Sequence, residues 1–185
     1  MTERRRLITL LAERSTKRGK FTLASGKESN YYIDARLTTM SPEGLSIIGP
    51  LALSTLYDSG WAVDSIGGLT IGADPISYAI SYASAGSAPS LRAFTVRKAP
   101  KTHGTGKIIE GPFKQGDRVA VIEDVITTGG SALRAIEAVR AEGGIVVGVL
   151  ALVDREEGGK QVIEAAGVPV ICLVSTSEIA KALES

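Results

Sequence analysis

An apolar run that ends in two adjacent carboxylates, then threonines, glycines and a serine, is the strongest chemical signal in this chain of 185 residues: Val119-Ala120-Val121-Ile122-Glu123-Asp124-Val125-Ile126-Thr127-Thr128-Gly129-Gly130-Ser131. Glycines let the backbone come close to a ligand and turn its N–H groups inward. The hydroxyls of Thr127, Thr128 and Ser131 add donors, and a helix opening at Ser131 sets partial positive charge over the same spot. The combination suits a phosphate monoester. Two carboxylates beside a phosphate repel it unless they face something else, and the natural partners are sugar hydroxyls and a divalent metal. The stretch therefore describes a ribose 5-phosphate site, set against the plainer reading of an acidic turn before a well-capped helix. Neither Gly-x-x-x-x-Gly-Lys-Ser/Thr nor Gly-x-Gly-x-x-Gly occurs, which excludes a P-loop and a dinucleotide fingerprint.

Arg97-Lys98-Ala99-Pro100-Lys101-Thr102-His103-Gly104-Thr105-Gly106-Lys107 gathers four basic residues and the only histidine of the chain. Its proline, threonines and glycines disfavour a helix and favour a loop. A generic basic loop is a solvated surface feature. This one follows an expected strand, at the edge where ligands bind, near a motif that implies a polyanion. Pyrophosphate leaving a sugar carbon needs several negative charges neutralised, and a lysine about 4 Å from one of them contributes on the order of 4 kcal/mol. A loop that closes over the substrate also keeps water from an oxocarbenium-like centre.

Three further segments carry candidate contacts. Asp154-Arg155-Glu156-Glu157-Gly158-Gly159 places an arginine among acids after an apolar run. Such an arginine is commonly a salt-bridged surface residue, yet a guanidinium also grips a carboxylate with two parallel hydrogen bonds. In Phe21-Thr22-Leu23-Ala24-Ser25-Gly26-Lys27-Glu28-Ser29-Asn30-Tyr31-Tyr32-Ile33-Asp34, the paired tyrosines either offer a stacking face or fill a small core. Gly67-Gly68-Leu69-Thr70-Ile71-Gly72-Ala73-Asp74-Pro75 has the glycines and amides to approach an anion.

The elements that position these residues follow from periodicity. From about residue 60, short β-rich runs at 65–68, 91–96, 118–123, 145–153 and 168–174 alternate with helical stretches at 73–83, 131–141, 160–166 and 178–183. That alternation predicts an α/β fold with a parallel, helix-flanked sheet. Ligands of such sheets bind at the C-terminal strand ends, here after Gly68, Val96, Glu123 and Val153. The first third differs, with β-type runs at 20–23 and 31–33 around a Ser25–Gly26 turn. Ser41, Pro42 and Glu43 then open a helix to about Tyr57. Residues 1–40 read as contributing a small cap beside the main sheet. Apolar residues make up 44% and charged residues 22%, which suits one globular domain over 1–185. A net charge of +1 speaks against a nucleic-acid partner. The basic and briefly apolar N-terminus reads as an amphipathic helix rather than a signal peptide. With no apolar run long enough for a membrane span, the expected setting is the cytoplasm. Cys172, alone in an apolar run, reads as a buried thiol in a strand.

These five segments, in their order along the chain from about Phe21 to Gly159, resemble the motifs of type I phosphoribosyltransferases, and the basic loop resembles that of the orotate enzymes. The resemblance implies that family's fold, a central and mostly parallel sheet flanked by helices with a small N-terminal hood. It implies that Thr127, Thr128, Gly129, Gly130 and Ser131 hold the 5-phosphate of phosphoribosyl pyrophosphate, with Glu123 and Asp124 on its ribose. Arg97, Lys98, Lys101 and His103, together with Thr70, are implied at the pyrophosphate. Arg155 is assigned to the orotate carboxylate, with Thr127, Tyr31, Tyr32 and Lys27 beside the base. Lys101, His103 and Asp124 are expected to act in catalysis. Mg²⁺ is the expected cofactor, held mainly by substrate near Glu123 and Asp124 with no direct protein ligand named. A homodimer is implied, in which the 97–107 loop reaches the neighbouring active site. Ala24 and Ile71 stand where some members carry lysines that contact substrate. The alternatives are a phosphoribosyltransferase for another base, such as a purine, and a non-catalytic regulator that senses phosphoribosyl pyrophosphate.

Overall fold

In the computed structural model, which describes residues 1–22, 28–87, 89–99 and 107–184 (Ser29 by its backbone alone), helices and short strands alternate from residue 65 onward. In chain order the elements are α1 (Glu3–Leu10), a π-helical turn (Leu11–Ser15), β1 (Thr16–Thr22), β2 (Glu28–Ile33), α2 (Arg36–Thr39), α3 (Pro42–Asp58) and β3 (Ser65–Leu69). There follow α4 (Ala73–Ala83), a 3-10 turn (Ser84–Gly86), β4 (Arg92–Val96), β5 (Ile109–Glu110), β6 (Arg118–Ile126) and α5 (Gly130–Ala141). The chain closes with β7 (Ile145–Asp154), α6 (Gly159–Ala165), β8 (Val170–Ser175) and α7 (Thr176–Glu184).

The main sheet has the order β5-β4-β3-β6-β7-β8 and is parallel throughout except for β5, which runs antiparallel to β4. β1 and β2 form a separate antiparallel pair. The expected mostly parallel, helix-flanked sheet is therefore present. Its central strands are apolar on both faces because both faces are covered. On one face Ile66, Ile122, Leu150 and Leu152 pack with Leu7, Leu11, Ile48, Leu56, Ile76 and Ile80 from the N-terminal helix, α3 and α4. On the other, Val119, Val121, Val149 and Ala151 meet Ala132, Ala135 and Ile136 of α5. Small residues on both sides of this second contact let α5 sit close to the sheet, which matters because its N-terminus borders the site. Among the described residues no helix is long and apolar enough to cross a membrane.

Boundaries depart from the expected ones where pairing decides them. The strand expected over 118–123 continues to Ile126, because Val125 and Ile126 pair with Val153 and Asp154. The two acids thus lie within β6, and the loop starts only at Thr127. β5 was not expected, since two residues show no periodicity. The expected 83–90 loop contains the 3-10 turn, and α3 opens as expected, with Ser41 Oγ accepting from Gly44 N at 3.1 Å. Pairing between β6 and β7 slips by one residue: Val119 faces Val146 but Ala120 faces Gly148, so Val147 is bulged, and Trp61 lies against Gly148. Cys172 sits on β8 half-buried rather than fully buried, and burial chiefly pushes its thiol up to about 11, so it is inert.

Candidate functional site

The ends of β3 and β6 and the segments after β4 and β7 open onto one cavity of about 550 Å³. Thr127, Thr128 and Ser131 form one wall, and an adjoining hollow of about 70 Å³ is lined by Glu123 and Val125–Ser131. The turn depends on Gly129, whose φ is 83° and whose missing Cβ would sit 2.8 Å from the Gly159 carbonyl. Only glycine fits both demands. α5 starts at the next residue, so its first N–H groups, which have no partner within the helix, border the hollow.

Glu123 and Asp124 form the floor. Strict alternation would send them to opposite faces. It lapses here: Ile122 and Val125 both pack with the Leu150 side of the core, and Ile126 with the other. Both acids consequently line the cavity. Glu123 is buried, and its carboxyl is held well above the usual range, first by burial and then by Asp124, with Arg134 opposing. Asp124 Oδ1 accepts from Val125 N at 2.9 Å. Its carboxylate lies against Gly72, where an added Cβ would come within 2.5 Å of Oδ2. Close contact between β6 and the loop after β3 thus requires that glycine.

Thr70 spends both of its donors inside the protein. Its N–H donates to Val96 O at 2.8 Å and its hydroxyl to Asp74 Oδ2 at 2.6 Å. Asp74 Oδ1 accepts from Thr95 Oγ1 at 2.8 Å. The expected contact of Thr70 with an anion therefore has neither its N–H nor its hydroxyl proton to draw on. Ile71, at one of the positions where some relatives carry lysine, is 53% exposed at the cavity wall.

Arg155 also lines the cavity, its side chain 6% exposed and paired with Glu157 at 3.0 Å. Tyr32 reaches the cavity from β2, 5.6 Å from Phe21 between ring centroids. Tyr31 does not: neighbours on a strand face opposite ways, and it lines a shallow hollow with Arg18, Gly19, Lys20 and Asn30. Arg97 is also turned away, with Nη1 3.7 Å from Glu110 of β5, whereas Lys98 lines the cavity. Lys27, Lys101 and His103 lie outside the described residues.

Three charged residues of the cavity were not among the expected site residues. Asp34 and Arg36 form an ion pair at 2.8 Å that holds the Asp34 carboxyl below its ordinary value. Arg134, one helical turn beyond Ser131, also faces in. The i,i+3 spacing from Ser131 was the available signal for Arg134. Asp34 closed the tyrosine segment already singled out, and Arg36 lay two residues past it.

No family model matches the chain. Orotate phosphoribosyltransferase of Aquifex aeolicus is 46% identical over 97% of this chain and 98% of its own length. That of Rhodopirellula baltica is 44% identical over 91% and 90%. Among solved structures, Mycobacterium tuberculosis orotate phosphoribosyltransferase in complex with 5-phospho-alpha-D-ribosyl 1-diphosphate superposes with a TM-score of 0.81 at 38% identity, covering 97% of this chain and 99% of that one. Identity of this size over nearly the full length of both sequences goes with the phosphate loop, the paired acids and the buried arginine around one cavity. The chain belongs to the orotate phosphoribosyltransferase family.

Proposed function

We propose that this chain transfers the 5-phosphoribosyl group from phosphoribosyl pyrophosphate to orotate, giving orotidine 5-phosphate and pyrophosphate in de novo pyrimidine synthesis. One observation carries the reading: a phosphate-type loop, two carboxylates and a buried arginine all line a single cavity. Thr127, Thr128, Gly129, Gly130 and Ser131 hold the 5-phosphate at the start of α5. Glu123 and Asp124 take the ribose hydroxyls, and Asp124 supports positive charge developing at the anomeric carbon. Lys98, with Lys101 and His103 from the same segment, neutralises the departing pyrophosphate, and Lys101 or His103 gives it a proton. Arg155 takes the orotate carboxylate, with Thr127, Tyr32 and Lys27 beside the ring; Tyr31 drops out of this set.

Glu123 and Asp124 offer the hard oxygens that Mg²⁺ prefers, and no group of three His, Cys, Asp or Glu gathers among the described residues. That donor set suits an ion that keeps waters and takes one or two carboxylates plus substrate phosphates. When bound, Mg²⁺ supplies further charge neutralisation on the leaving group. The chain acts as one domain over 1–185 in the cytoplasm, as a homodimer whose 97–107 loop serves the neighbouring site.

Orotate absorbance, followed with phosphoribosyl pyrophosphate and Mg²⁺, tests the reading. Native protein is expected to consume orotate, and Lys101→Ala to do so about a hundredfold more slowly or worse. Native protein inert toward orotate overturns the assignment, and turnover of a purine in its place assigns the other base.

A further inference from the structure

We infer that Glu157 is the residue that positions Arg155 for the base, an inference that rests on Arg155 being the contact for the orotate carboxylate. Glu157 Oε1 lies 3.1 Å from Arg155 Nε and 3.0 Å from Nη2, and the two side chains are 16% and 6% exposed. One oxygen takes two donors from the same edge of the guanidinium, which sets the plane of the group as well as its place. Among the described residues Glu157 Oε2 is buried without a hydrogen-bond partner, and Arg155 is the cation that this carboxylate meets. The backbone around the pair is fixed from both sides. Arg155 N donates to Ile126 O at 2.9 Å, immediately before Thr127. Glu156 has a φ of 59° and donates its N–H to Asp154 Oδ1 at 2.8 Å. Its carboxylate accepts from Ser177 N and Oγ at 2.8 and 3.1 Å, and Thr176 Oγ1 donates to Asp154 O at 3.1 Å. The first turn of α7 thus clamps the turn that carries both residues.

Orotate brings a second carboxylate to the same guanidinium. Arginine carries five N–H donors in a rigid fork, and holding that fork along one edge fixes the plane in which it meets a ligand. A mere counter-ion would act with the opposite sign: negative charge on Glu157 would compete with orotate, and its removal would tighten binding. The test is steady-state kinetics of the full chain with Mg²⁺ and both substrates, for Glu157→Ala, Glu157→Asp and Glu157→Gln, with thermal melting as a control. Ala and Asp are expected to raise the orotate KM about tenfold or more, leaving kcat and the phosphoribosyl pyrophosphate KM within about twofold. Gln keeps an oxygen that accepts both donors and is expected to stay within about threefold of native. An orotate KM that is unchanged or lowered in Ala and Asp, or a parallel rise in both KM values, overturns the inference. If the Ala variant does not fold, Asp, which keeps the charge but withdraws it by one methylene, and the isosteric Gln carry the comparison. Arg155→Ala separates the two readings. An unchanged orotate KM there sinks the assignment of Arg155 itself; a raised one, with silent Glu157 variants, sinks only the positioning role.

Discussion

Glu123 shows how a single residue can be held away from its solution behaviour. Burial beside Asp124 raises its carboxyl well above the ordinary 4.5, so the folded chain binds its proton more tightly than the unfolded chain does. The stability linked to that group is complete below about pH 4.5 and is lost as pH rises through the folded-state value. Glu123→Gln removes the titration. In the absence of substrates and Mg²⁺, the melting temperature of this variant is expected to pull ahead of native as pH rises from 5 to 9. A gap that stays constant across that range would show that Glu123 ionises as it does in solution. The sequence displays both acids, but not their unequal burial, which comes from the β7 pairing that carries β6 on to Ile126.

Among the elements, Asp74 is the knot. From the first turn of α4 it accepts hydroxyls from Thr70, after β3, and from Thr95, near the end of β4. Asp74→Ala frees both, and each hydrogen bond to a charged group is worth about 1.5–3 kcal/mol. The variant is expected to melt earlier and to need about tenfold more phosphoribosyl pyrophosphate for half-saturation, with the orotate KM little changed. Equal shifts in both KM values would count against a loop-specific role. Long apolar runs made β6 and β7 legible in the sequence, as the spacing of Leu133, Ile136 and Val139 did α5. β5 and α2 were not, since two and four residues lie below the length at which periodicity can speak. Gly129 and Thr127–Ser131 could be read from type and order alone. Arg134 had only its i,i+3 spacing from Ser131 as a signal, and Arg36 had none, because it joins the site only once α2 is folded beside the cavity.

For the whole molecule, the proposal that two copies share their active sites makes a countable prediction. If Lys101 serves the neighbour's Asp124, coexpressing Lys101→Ala with Asp124→Asn gives mixed dimers in which one site carries both changes and the other neither. With random pairing, activity should recover to about a quarter of native. No recovery would mean that loop and floor belong to the same chain. The bulge at Val147 has a consequence for how this fold can change length. Before it, Val146 faces α5; after it, Val149 and Ala151 do, while Leu150 and Leu152 face α3 and α4. Parity between Val146 and Leu152 is therefore reset by a single residue. Deleting Val147 would turn the two leucines toward Ala132 and Ala135, where the space holds only a valine and an alanine. A loop of this fold can be lengthened or trimmed without moving the core, but between Val149 and Leu152 a change of one residue exchanges the two faces and a change of two restores them.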